Sequence, residues 1–137
     1  LIPYMIGRAL RGESLPLYGD GSAERDWLYV LDHCVAIDLI LQRGAAGEIY
    51  NIGAGQQKSN RAVLEALLPL VGADESRICF VADRPGHDDR YAVDTAKIER
   101  LGWRAQTAFS EGLQKTAKWY LEHSFFCSGV KREQDEK

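Results

Sequence analysis

Apolar positions recur at helical spacing at Ile2, Ile6, Ala9 and Leu10, with Pro3 early and Gly12 just past the end, which predicts a helix over 3–11. Leu15-Pro16-Leu17-Tyr18 reads as a short extended stretch that turns at Gly19-Asp20-Gly21. The aromatic and β-branched run Trp27-Leu28-Tyr29-Val30 predicts a strand, and Asp32 is placed to cap a helix over 33–43 that Gly44 stops. Ile49-Tyr50-Asn51-Ile52 predicts a second strand, running into Gly53-Ala54-Gly55. Ser59 precedes a helix whose Val63, Leu64, Leu67 and Leu68 share an apolar side, and Pro69 should end or kink it, because its ring clashes with the carbonyl four residues back. Ile78 to Val81 predicts a further strand, followed by a polar loop over 83–90. Asp94 is placed to cap a short helix ending before Gly102. Ser110 is placed to cap a last helix with Leu113, Ala117, Tyr120 and Leu121 on one face. From Ser128 the chain has charge without apolar period, so 128–137 is expected to be disordered. The pattern is mixed α/β, without repeats and too irregular for a complete doubly wound sheet.

Composition narrows the function more than the fold. The chain has 137 residues, enough for one domain or part of one. Seventeen basic against 20 acidic side chains leave a formal charge of −3, with no net field to gather nucleic acid or an anionic membrane. Any bound anion must be held by a few local arginines. Cys34, Cys79 and Cys127 lie far apart and make no CxxC, which argues against a disulfide framework or zinc site and for reduced thiols in a cytoplasmic protein. No apolar run reaches the roughly 18 residues of a membrane span. His87 beside Asp88 and Asp89 lacks a third ligand, so no metal is expected.

No GxGxxG follows a strand, and Gly53 and Gly55 give only GxG, so no dinucleotide-binding turn is expected. None of the tyrosines has a lysine four residues on. No catalytic constellation is legible. Three polar segments do stand where a strand gives way to a loop: Pro16 to Gly21 leading to Arg25-Asp26-Trp27, Tyr50 to Gly53, and Asp83-Arg84-Pro85-Gly86-His87. An arginine fork matches two phosphate oxygens at once, so Arg25 and Arg84 are candidates to clamp a diphosphate, with Tyr18 offering a flat face to a base. From spacing alone, the simpler reading of the same arginines is ion pairing with Asp26, Asp83 or Asp88 on a solvated rim.

Tyr18-Gly-Asp-Gly, Arg25-Asp-Trp-Leu-Tyr-Val with Asp32-His33, Tyr50-Asn-Ile-Gly, Asp83-Arg-Pro-Gly-His-Asp, Tyr91-Ala-Val-Asp and Leu101-Gly-Trp, in that order, resemble the dTDP-glucose 4,6-dehydratases, a family of extended short-chain dehydrogenases. The resemblance implies the C-terminal substrate-binding lobe alone, over 1–127, with the N-terminal Rossmann domain lacking. The NAD-binding turn, the Tyr/Lys pair and the acid–base pair would then lie upstream of Leu1. NAD belongs to the full-length family enzyme, and this lobe alone is expected to bind no cofactor, to hold no catalytic residue and to be inactive. The family's substrate is dTDP-glucose, dehydrated to dTDP-4-keto-6-deoxyglucose in deoxysugar synthesis. By matching motif, Leu1 would flank the nucleotide, and Pro16, Leu17 and Tyr18 would hold the thymine. Arg25 and Arg84 would take the diphosphate. Asn51, Asp83, Pro85, Gly86, His87 and Tyr91 would complete the pocket. One departure is Asp89, where the family often has arginine.

In the family, the stretch matching 26–43 packs on the NAD domain. Its apolar side chains are therefore expected to lose their cover here and to draw two copies into a homodimer. The alternative to a dehydratase lobe is a stand-alone nucleotide-sugar binding or interaction module without catalysis.

Overall fold

The computed structural model describes residues 1–83, 85–86 and 88–128. In chain order the elements are α1 (Ile2–Leu10), β1 (Leu15–Tyr18), β2 (Glu24–Asp26), α2 (Val30–Arg43), β3 (Gln57–Ser59), α3 (Asn60–Leu67), β4 (Ile78–Val81), α4 (Ala96–Glu99), α5 (Phe109–Glu122) and α6 (Phe125–Ser128). The expected mixed α/β class holds. Its strands form two separate two-stranded sheets, with β1 parallel to β4 and β2 antiparallel to β3. Leu15 and Leu17 point from β1 into the core while Pro16 and Tyr18 face the other way, the two-residue alternation of a half-buried strand.

The main core joins α1, β1, α3 and α5 through Met5, Ile6, Leu15, Leu17, Leu64, Leu67 and Leu113, with Cys127 of α6 closing one end. Burying each large aliphatic side chain contributes about 1.5–3 kcal/mol. Ser59 caps α3, its hydroxyl accepting the Ala62 N–H at 3.1 Å, and the helix yields at Pro69 to a 3-10 turn over Leu68–Val71, both as expected. A smaller core packs Ala36 of α2 against Ile98 and Trp103.

Several expected elements differ. Trp27 to Tyr29 form no strand: β2 ends at Asp26 and α2 begins at Val30. Their β propensity meets no partner strand among the described residues, and their side chains line a groove instead. Asp32 is not the cap of α2, since Tyr29 holds that position. Its carboxylate reaches across to accept the backbone N–H groups of Gln106 (3.1 Å) and Thr107 (2.8 Å). The 49–52 segment joins no ladder among the described residues. Tyr50 and Ile52 turn into the smaller core and Ile49 turns out, so the alternation is real without the sheet. α5 starts one residue before Ser110, at Phe109, whose N–H is taken by the Gln56 side chain at 2.6 Å. Thr95 occupies the cap position of α4, although the Asp94 carboxylate does accept the Ala96 N–H at 2.8 Å. Ser128 closes α6, and the remainder of the tail expected to be disordered, 129–137, lies outside the described residues.

Candidate functional site

The parallel pairing of β1 and β4 brings two of the sequence-predicted segments to one edge. Gly19 follows Tyr18 and donates its N–H to the Val81 carbonyl at 2.9 Å, so the turn after β1 lies against the loop after β4. Asp83 packs directly beside Gly19. The turn is tight enough to require glycine at position 21, where φ is +78° and a Cβ would stand 2.6 Å from the Leu17 side chain. Tyr18 and Pro16 are half-buried on the outer face of this edge, whereas Leu17 is buried in the core. Any contact from position 17 to a ligand therefore falls to its backbone.

Arg25 stands on the second sheet. The end of the polar loop is stitched alongside β2 by two backbone bonds, Glu24 N–H to Asp89 O (2.7 Å) and Tyr91 N–H to Glu24 O (3.1 Å). Arg90 adds an ion pair to Glu24 at 3.4 Å. The Arg25 guanidinium donates to the carbonyls of Glu24 (2.6 Å) and Asp88 (2.9 Å), and it lies 4.6 Å from the centre of the Tyr91 ring. The Tyr91 hydroxyl donates to the Asp88 carboxylate, and that bond holds the phenol above its ordinary pKa. Asp26, the rim partner next to Arg25 in sequence, has its carboxylate engaged by the segment leading into β3. The Asp26 carboxylate accepts the N–H groups of Gly55 (3.1 Å) and Gln56 (2.9 Å).

Asn51 is exposed and donates to the Asp94 carbonyl at 3.3 Å, three residues beyond Tyr91. Pro85 and Gly86 are exposed in a turn. Arg84 and His87 lie outside the described residues. Leu1 holds the N-cap position of α1. With Trp27, Tyr29, Phe109, Trp119 and Tyr120 it lines an apolar groove of about 690 Å³ between α1, the start of α2 and α5.

The GxG at 53–55 does not build a dinucleotide-binding turn. It follows no strand, no helix begins until Asn60, and the Gly55 and Gln56 N–H groups already face a carboxylate that would repel a pyrophosphate. Among the described residues no group of His, Cys, Asp and Glu could hold a metal, the cysteines are all free, and no helix is long and apolar enough to cross a membrane.

A family model described as GDP-mannose 4,6 dehydratase matches residues 1–116. The chain belongs to this dehydratase family. It is 50% identical over 121 residues to the low-salt glycan biosynthesis protein Agl12 of Haloferax volcanii, covering 88% of this chain and 39% of that protein. Against the dTDP-glucose 4,6-dehydratase of Xanthomonas campestris it is 44% identical, covering 95% of this chain and 40% of the relative. The crystal structure of DesIV, a dTDP-glucose 4,6-dehydratase of Streptomyces venezuelae solved with NAD bound, superposes with a TM-score of 0.89 at 48% identity, over 96% of this chain and 41% of that one. The resemblance read from the motifs is thus borne out, and the chain is a mixed α/β piece that spans about two fifths of the length of the curated relatives it matches.

The motifs did not mark Gln56 as important. Its side chain accepts from Phe109 N–H and donates to the Thr107 carbonyl at 3.0 Å, so it fastens α5 to the β2–β3 sheet. No sequence signal predicts a cap supplied by a residue 53 positions away.

Proposed function

We propose that this dehydratase-family chain is the nucleotide-binding, C-terminal lobe of a dTDP-glucose 4,6-dehydratase. In that reading the longer protein works in the cytoplasm and binds NAD through segments other than these, while this lobe holds the dTDP end of the sugar nucleotide. Tyr18, with Pro16 and the Leu17 backbone, takes the thymine. Arg25 takes the diphosphate together with Arg84, and Asn51, Asp83, Pro85, Gly86 and His87 enclose it, with Leu1 flanking. The observation that carries the reading is the convergence at the β1/β4 edge and the β2 arm: a half-buried tyrosine and an anchored arginine, both flanking the loop that begins at Asp83. The uncovered face of α2 is where the rest of the longer protein packs, and in the isolated chain it joins two copies.

Titration of the 137-residue chain with dTDP and with thymidine, followed by NMR, tests the reading. A dissociation constant nearer millimolar than micromolar is expected, about −4 to −6 kcal/mol, because contacts to the sugar are missing. Arg84→Ala should weaken dTDP and spare thymidine. Equal losses, or no binding of dTDP, overturn the reading. Given NAD and dTDP-glucose, the chain alone should form no 4-keto-6-deoxy product, since it holds no hydride-transfer machinery.

A further inference from the structure

Tyr91 is placed by the resemblance in the nucleotide pocket, but its contacts point to a different task. One ring face is covered by the Arg25 guanidinium, 4.6 Å from the ring centre. Its hydroxyl is tied to the Asp88 carboxylate, and the Asp88 carbonyl accepts from Arg25 at 2.9 Å. Its backbone N–H is bonded to Glu24, the residue just before Arg25 in β2. Backbone, ring and hydroxyl all converge on the one arginine. A long flexible cation loses conformational freedom when it clamps an anion, and a side chain held in place beforehand loses less.

We infer that Tyr91 is a positioning residue that acts through Arg25: its ring orients the guanidinium for a diphosphate and does not itself stack on the base. The inference rests on the proposed diphosphate role of Arg25. It also accounts for the Asp88 carboxylate beside an anion site, since that group is engaged with the Tyr91 hydroxyl. Aromatic character at position 91 is then the requirement, and the hydroxyl is secondary.

The test compares dTDP and thymidine binding to the full chain with Tyr91→Leu, Tyr91→Phe, Arg25→Ala and the Tyr91→Leu/Arg25→Ala double variant. Tyr91 is exposed, so these changes leave the core intact. Loss of an exposed cation–π contact should weaken dTDP about two- to fivefold in Tyr91→Leu. Thymidine should be unaffected, Tyr91→Phe should keep the wild-type affinity, and the double variant should be no weaker than Arg25→Ala. Without ligand, the Arg25 side-chain protons should be ring-shifted upfield in the wild type and Tyr91→Phe and return to ordinary positions in Tyr91→Leu. Equal losses for thymidine, additive losses in the double variant, or unshifted Arg25 protons in the wild type overturn the inference while leaving nucleotide binding standing. A wild-type chain that binds no dTDP removes the proposed function and this inference with it.

Discussion

Helices α1 and α2 are both rich in apolar residues, yet they end in opposite environments. In the nine residues of α1, Tyr4, Met5, Ile6, Gly7 and Ala9 are buried. In the 14 residues of α2, only Ala36 is buried, while Val30, Leu31, Val35, Ile37 and Leu41 are exposed, Leu41 at 80%. The difference lies in the neighbours. α1 is met by α3, α5, α6 and β1, whereas α2 packs only Ala36, Leu39 and Ile40 against the small cluster with Ile98 and Trp103 and leaves those five apolar side chains to solvent. Exposure on that scale is uncommon for a chain that stands alone, and under the proposal above this is the face on which the rest of a longer protein packs.

The largest expected effect separates the two helices directly. Ile6→Ala or Met5→Ala should cost about 2–5 kcal/mol, since each side chain is wholly enclosed and the void cannot fully collapse. Leu41→Ala should stay within about 0.5 kcal/mol when the chain is dilute enough to be monomeric. Urea denaturation of the dilute variants measures both, and a large cost at Leu41 there would mean that α2 is covered within the monomer. Gly7→Ala sharpens the point on α1. A Cβ there would stand 3.0 Å from the Cys127 carbonyl oxygen and 3.2 Å from its Cβ, so α6 must give by a few tenths of an ångström; against the roughly 0.5–1 kcal/mol that alanine gains over glycine in a helix, the net cost should be about 0.5–2 kcal/mol. Gln56→Ala removes the cap that fastens α5 and should cost about 0.5–2 kcal/mol, read by the same denaturation.

Self-association probes the uncovered side without touching the core. Val35→Glu with Leu41→Lys should leave the stability of the dilute monomer nearly unchanged and convert a dimer to a monomer by light scattering at tens of micromolar. A wild-type chain that is already monomeric there ends the homodimer proposal.

The smallest effect is electrostatic. Burial against α1 pushes the Cys127 thiol above its ordinary pKa, so the fold favours the neutral form. Its contribution is complete below the ordinary thiol pKa and is lost as pH rises through that range toward the raised folded value. Stability measured from neutral to alkaline pH should therefore fall more steeply in the wild type than in Cys127→Ala.

Local chemistry determined a good part of this molecule. Pro3, Gly12, Ser59 and Pro69 act on the backbone within a turn of themselves, so α1, α3 and the break after Leu67 were readable from residue type and spacing. The motif segments also determined the family, because Tyr18 to Gly21, Arg25 to Trp27 and the loop from Asp83 stand in one order in the chain whatever they touch. Tertiary structure alone decided the rest. Trp27 to Tyr29 and Ile49 to Ile52 have the composition of strands, but a strand needs a partner's hydrogen-bonding edge, and none is offered among the described residues. Asp32 and Gln56 satisfy backbone donors that are 74 and 53 positions away, and a propensity scale sees neither. The anchoring of Arg25 by Tyr91 and Asp88 likewise forms only once β2 and the 88–91 segment lie side by side. Such long-range bonds are set by which surfaces the fold brings together, and the chain's local pattern carries no record of them.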